Sequence, residues 1–285
     1  PKVLAFLLWS LDGERCGWEH EDSPVMNIRF PYKGWLFDLD GTVYRGDGLI
    51  AGAREVIAAL RGDGRRVVFL SNKPIQTRSD YAAKLTRLGI PTAPEEVVNS
   101  SLVLARYLRR LDPGASCFVI GEPPLVDELQ AHGLEVRQDA EVRWVVIAFD
   151  RTFDYAKLNT ALQAVKRGAR LIATNPDRTC PTEDGEIPDC AGMIAAVTAV
   201  TGKPVEVIVG KPSLIILEVA LEQLGLSAAE CVMVGDRIET DITMGKTLGL
   251  STILVLTGVT SSDDPRIADL KPDHVLRSIA EVLGP

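Results

Sequence analysis

Short apolar runs that each stop on a polar or acidic residue, with helical periodicity between them, most constrain what this chain can form. Gly34-Trp35-Leu36-Phe37 ends at Asp38, Arg66-Val67-Val68-Phe69-Leu70 ends at Ser71-Asn72, and Cys231-Val232-Met233-Val234 ends at Gly235-Asp236. Runs this short, bounded by turn residues, read as buried strands. After the first run, a glycine-rich loop from Asp38 to Gly52 leads into a helix. Ala53, Val56, Ile57 and Leu60 share one face of it, and Gly62 to Gly64 close it. A second helix is expected from about Thr77 to Leu88, stopped by Gly89 and Pro91. Strands alternating with helices imply parallel β-α-β units with right-handed crossovers, and so an α/β fold with a doubly wound, Rossmann-like parallel sheet.

The last third repeats this grammar. A strand is expected at 205–209, a helix opened by Lys211-Pro212 and running through Leu224, and another helix from about Thr240 to Leu248. Thr252 to Leu256 and residues 272–277 read as further strands. The middle has its own strands near 116–120, 143–148 and 170–173, bracketed by Asp112-Pro113-Gly114 and Gly202-Lys203-Pro204. Residues 1–112 and 205–285 are therefore expected to form one domain, with 113–204 inserted as a second, smaller one. A chain of 285 residues has room for both. Residues 1–30 show no clear period, and Met26 is a candidate natural start.

Composition excludes several classes. Thirty-one basic against 39 acidic residues give a net charge of −8, unlike a general nucleic-acid binder. No apolar run reaches membrane-spanning length. Val3 to Trp9 is too short and lacks the cleavage signature of a secretory leader. Five scattered cysteines without a C-x-x-C pair point to a reducing cytoplasm, not to zinc or disulfides. Three histidines far apart in sequence weaken histidine-based phosphoryl transfer and zinc hydrolysis.

The chemistry concentrates at the strand ends. Asp38 and Asp40 lie two residues apart after a strand, so in an extended segment they point the same way. Open α/β sheets bind ligands at that edge. One carboxylate can attack phosphorus while the other carries protons, splitting one hard displacement into two easier ones. Ser71-Asn72, Lys211, and the Asp236/Asp241 pair end or follow the other strands of the same pattern. Each alone reads equally as a cap, a surface lysine or a turn. Together they deliver D-x-D, S-N, G-K and G-D-x-x-x-x-D to one edge.

These four segments, Asp38-Leu39-Asp40-Gly41-Thr42, Ser71-Asn72-Lys73, Gly210-Lys211-Pro212-Ser213 and Gly235-Asp236 through Asp241-Ile242, resemble the motifs of the haloacid-dehalogenase (HAD) superfamily in order. The insertion between the second and third resembles the cap of its NagD-like phosphatase branch (subfamily IIA, cap type C2). Residues 173–195 are similar to the corresponding stretch of the sugar phosphatases there. The resemblance covers about Gly34 to Leu276. It implies a phosphatase for small phosphomonoesters, sugar phosphates above all, with Asp38 as nucleophile and Asp40 as general acid and then base. It further implies that Ser71 and Lys211 hold phosphate oxygens, and that Asp38, the Asp40 carbonyl and Asp236 ligate Mg²⁺ with Asp241 in support. Oxygen ligands around a hard cation suit clustered carboxylates, which otherwise repel. Lys73, where many relatives carry Asn, adds a cation near the phosphate or the cap. A homodimer through the cap is also implied.

Within the insertion, Asn175, Asp177 and Arg178 are candidate substrate-binding residues in the loop 175–184, together with Asn72 and Lys73 in the core. An ordinary turn is the alternative. Tyr44 and Arg45 either touch the leaving group or pack on the cap. Competing functions are a p-nitrophenyl phosphate or phosphoglycolate-type phosphatase of the same branch, a phosphomutase, and a non-catalytic receiver-like switch. In this superfamily mutases usually carry a cap after the first motif, and a dehalogenase would lack Asp40. Receivers are shorter and lack D-x-D-G-T.

Overall fold

The computed structural model describes residues 27–182 and 185–284. The candidate start at Met26 lies outside the described residues. In chain order the first part comprises β1 (Gly34–Asp38), a small hairpin of β2 (Tyr44–Arg45) and β3 (Gly48–Leu49), α1 (Ala53–Gly62), β4 (Arg66–Ser71), α2 (Arg78–Arg87), β5 (Val97–Asn99) and α3 (Ser100–Leu111). The middle comprises β6 (Ser116–Ile120), α4 (Pro123–Ala131), β7 (Glu135–Val136), β8 (Trp144–Ile147), α5 (Tyr155–Lys166), β9 (Arg170–Ala173), the ribbon β10 (Thr179–Thr182) and β11 (Gly185–Pro188), α6 (Cys190–Thr201) and β12 (Val207–Ile208). The remainder is α7 (Leu214–Leu224), β13 (Cys231–Gly235), α8 (Thr243–Leu248), β14 (Ser251–Val255), α9 (Arg266–Leu270) and β15 (His274–Leu276).

Six strands form one parallel sheet in the order β15-β14-β13-β1-β4-β5. Five form a second parallel sheet, β12-β9-β8-β6-β7. The alternation of side chains along a strand divides the first sheet's apolar residues between two layers. Trp35, Phe37, Val67 and Phe69 pack with Val56, Ile57 and Leu60 of α1, while Leu36, Val68, Leu70 and Met233 pack with Ile216, Leu217 and Ala220 of α7. Helices on both faces leave no apolar side of the sheet exposed, as a parallel sheet requires.

One expectation is corrected here. The run at 205–209 does not rejoin the first sheet. Its strand, β12, pairs with β9, Val207 opposite Ile172 and Ile208 opposite Ala173, so the second sheet extends past residue 204. Similarly, the helix read from Lys211-Pro212 begins at Leu214 with Ser213 as its cap, and Lys211 lies in the turn before it. The stretch read as a helix from Thr240 opens as a π-helical turn over Ile238–Ile242, and α8 follows. Between the two domains' strands, Asn99 at the end of β5 caps α3 by accepting a hydrogen bond from the Leu102 amide.

The core layer on the α7 side does not stop at the first sheet. Through Leu102, Val103 and Leu108 of α3 it continues into Cys117, Trp144, Val146 and Ile172 of the second. Trp144 is almost fully buried, donates its indole N–H to Asp112 at 2.9 Å, and carries the Arg170 guanidinium 4.2 Å above its ring. Because the layer is continuous, the two sheets should unfold together. Trp144→Ala should cost about 3–5 kcal/mol, as for a large aromatic removed from a core. Urea unfolding followed by tryptophan fluorescence and circular dichroism should still give one coincident transition. Two separated transitions would contradict a shared core.

Candidate active site

β1, β4 and β13 are neighbours with matched registers, so their last residues, Asp38, Ser71 and Gly235-Asp236, come out at one edge. A cavity of about 700 Å³ opens there. Asp38, Asp40, Ser71, Asn72, Lys73, Lys211 and Asp236 all line it. The loops of the second sheet close its other side with Asp177, Thr179 and Asp189.

Lys211 organises the floor. Its buried ammonium hydrogen-bonds Asp38 Oδ1 and, at 2.9 Å, Asp241 Oδ1. Burial opposes its charge, but Asp241 and Asp38 more than compensate and hold its pKa above the ordinary ammonium range. Lys211 is aimed by Asn72, whose side-chain oxygen accepts from the Lys211 amide at 2.7 Å and whose amide group donates to the Lys211 carbonyl at 3.0 Å. The same amide group reaches Asp177 Oδ2 at 2.9 Å, tying the end of β4 to the loop after β9. Asn72, expected to contact substrate, thus spends its hydrogen bonds on the protein.

Ligand oxygens of Asp38, Asp236 and Asp241 lie within 4.8 Å of one another, all three residues buried. Three carboxylates face one ammonium. Burial first, then the charges of Asp38 and Asp241, push Asp236 up to about 8, and burial likewise raises Asp241 against the pull of Lys211. Asp236 Oδ2 accepts the Val259 amide at 2.7 Å, while its Oδ1 is buried without a hydrogen-bond partner among the described residues. Gly258 is needed at this approach, since a Cβ there would stand 1.8 Å from Asp236 Oδ2. An orphaned carboxylate oxygen beside two more carboxylates is the donor set a divalent cation takes. These residues fit such an ion.

Asp40 stands apart from that cluster. Its half-exposed carboxylate pairs with Lys73 Nζ at 2.8 Å, which holds the Lys73 pKa up despite burial. Ser71 Oγ accepts the Lys73 amide at 3.2 Å and donates to the Tyr81 hydroxyl at 3.0 Å. Tyr44 lines the cavity but is buried in the core on the α1 side, with Lys84 Nζ 4.1 Å above its ring. Arg45 lines it too, its guanidinium anchored on the Thr257 carbonyl.

Of the candidates in the second sheet's loop, Asp177 alone lines the cavity. Asn175 is fully buried behind it and orients it, donating to Asp177 Oδ2 at 2.9 Å and to Asp189 Oδ1 at 3.2 Å. Arg178 is exposed and outside the lining. Residues 183 and 184 of that loop lie outside the described residues. Sequence reasoning missed Tyr81, Thr179, Asp189 and Arg237. Asp189 carried a signal, a polar residue directly before the apolar helix α6 that it caps.

Two family models for haloacid dehalogenase-like hydrolases match residues 35–135 and 208–282. The chain is 45% identical over 250 residues to the sugar-phosphatase AraL of Bacillus subtilis, spanning 87% of this chain and 91% of that protein. It is 36% identical to a glycerol-3-phosphate phosphatase of Gallus gallus, over 87% of this chain and 90% of the relative. Among solved structures, a p-nitrophenyl phosphatase from Archaeoglobus fulgidus superposes with a TM-score of 0.82 at 36% identity, covering 88% and 98% of the two chains. NagD from E. coli K-12 does so with a TM-score of 0.82 at 32% identity, over 88% and 98%. The chain belongs to the haloacid dehalogenase-like hydrolases, in their NagD-like phosphatase branch.

The raised Asp236 gives a test that needs no turnover. An unfolded Asp ionises near pH 4, roughly, whereas the folded one holds its proton to about 8. Through that window the folded state binds more protons, so this group's contribution to stability falls as pH rises. In EDTA the melting temperature should therefore decline from pH 5 to 8. Mg²⁺ should raise it, more at pH 8 than at pH 5, and Asp236→Asn should weaken the pH decline, to which the raised Asp241 also contributes, and remove the Mg²⁺ response. Scanning fluorimetry of the two proteins checks this; an unchanged Mg²⁺ response in Asp236→Asn would contradict the assignment.

Proposed function

We propose that this protein is a Mg²⁺-dependent phosphatase for small phosphomonoesters, sugar phosphates first among them, working through a phosphoryl group carried on Asp38. The observation that carries the reading is the pairing of two differently placed carboxylates in one cavity. Asp38 is buried, turned to Lys211 and the acidic cluster, while Asp40 is half exposed beside Lys73. Their environments suit different roles: the first to attack, the second to exchange protons with the leaving group and water.

In the first step a carboxylate oxygen of Asp38 attacks phosphorus, and the ester oxygen departs with a proton from Asp40. In the second, water attacks the phosphorus of the acyl phosphate, gives its proton to Asp40, and releases phosphate and free Asp38. Lys211, next to Asp38, offsets charge on the transferring group, and Ser71 offers its hydroxyl at the same edge. Asp38, Asp236 and the Asp40 carbonyl, with Asp241 beside them, would hold Mg²⁺, which supplies charge neutralisation of the phosphoryl oxygens when bound. The loop carrying Asp177 closes over the substrate and limits water during transfer. The named activities of the sugar-phosphatase relative and the p-nitrophenyl phosphatase neighbour support the substrate class.

Phosphate release tests the reading. Asp38→Asn should abolish multiple turnover while the melting profile stays that of a folded protein. Asp40→Ala should lose on the order of 10²–10⁴-fold in kcat, as for a general acid–base group, and less with p-nitrophenyl phosphate, whose leaving group needs little protonation. Equal losses on p-nitrophenyl phosphate and a sugar phosphate would contradict the proton-transfer role of Asp40.

A further inference from the structure

The cations around the cavity differ in one respect. Lys211 is held by Asp38 and Asp241, Lys73 by Asp40, Lys84 by Asp47 at 3.5 Å, and Arg45 by the Thr257 carbonyl. Arg237 also lines the cavity, half buried, yet among the described residues its guanidinium has no hydrogen bond and no ion pair. Its backbone is fixed: the Arg237 amide donates to Asp241 Oδ2 at 3.2 Å, and the Asp241 and Ile242 amides donate to its carbonyl at 2.9 and 3.3 Å. The side chain is thus mounted on a rigid turn at the end of β13, aimed at the space between the acidic cluster and the Asp177 loop.

A guanidinium offers five N–H donors in a planar fork, and its natural counterpart is a carboxylate or phosphate taken two bonds at a time. Burial opposes its charge and the nearby carboxylates of Asp236, Asp177, Asp38 and Asp241 sustain it, yet among the described residues none of them accepts a hydrogen bond from the guanidinium, so its donors are left for a ligand. The transferred phosphoryl group already has Lys211 and Ser71 at the edge of the sheet. Resting on the phosphatase reading, we propose that Arg237 is a specificity-determining residue that clamps a second anionic group, a carboxylate or second phosphate, on the leaving group. The favoured substrates are then phosphorylated sugar acids or sugar bisphosphates, ahead of monoesters that are neutral beyond their phosphoryl group.

The pair 3-phosphoglycerate and glycerol 3-phosphate isolates the effect, because they share a three-carbon skeleton and differ in a carboxylate against a hydroxymethyl group. Full-length wild type should show the higher kcat/KM on 3-phosphoglycerate. Arg237→Ala should lose on the order of 10–100-fold there, mostly in KM, as for a lost hydrogen-bonded charge contact. The loss on glycerol 3-phosphate and p-nitrophenyl phosphate should be within about threefold. Arg237→Lys, which keeps the charge but not the fork, should fall between and serves as the readout if the alanine variant does not fold. Equal fractional losses on all three substrates would place Arg237 on the transferred phosphoryl group and overturn the inference, as would no loss or no wild-type preference for the carboxylate. Wild-type turnover of p-nitrophenyl phosphate reports separately on the phosphatase reading; its absence removes that reading and this inference with it.

Discussion

The buried ammonium of Lys211 between Asp38 and Asp241 is the contact on which the rest of the site depends. A charge taken out of water must be paired, and a carboxylate beside other carboxylates must be offset. One lysine answers both demands and so permits Asp38, Asp236 and Asp241 to crowd together. The lysine is held in turn by Asn72, which grips the Lys211 backbone from both sides. Asn72 sits just past the end of β4, so the parallel register of β1, β4 and β13 is transmitted directly to the chemistry.

The same asparagine joins the two sheets. Its contact with Asp177, and the support of Asp177 by Asn175, make one hydrogen-bonded chain from Lys211 to the second sheet's loop. Below it, the apolar layer running from α7 through α3 to Trp144 packs the sheets against each other. The strand-end residues of the core thereby share one cavity with Asp177, Thr179 and Arg237.

Most of the core and the strand-end residues were legible in the sequence, because a strand ending on a charged residue states both its burial and its edge. Sheet membership was less so. Val205 to Val209 looks the same whether it pairs with β9 or with the first sheet, since periodicity describes a strand's faces and not its neighbours. Direction within a loop was also hidden. Asp177 and Arg178 are adjacent, yet one lines the cavity and the other is exposed. Tyr81 lay inside the amphipathic pattern of α2, where an aromatic reads as core; its hydroxyl is what meets Ser71. Arg237 was within a quoted motif, and only the structure shows that it lines the cavity among four carboxylates with no hydrogen bond to its guanidinium among the described residues.

The central claim is that Asp38 carries the phosphoryl group. Rapid acid quench during turnover of p-nitrophenyl phosphate, followed by peptide mass spectrometry, measures it most directly. A transient phosphoryl group should appear on the peptide containing Asp38, formed with the first equivalent of p-nitrophenol and localised by fragmentation to that aspartate. Release of p-nitrophenol with the phosphoryl group found on another residue, or on none at any quench time, would contradict it.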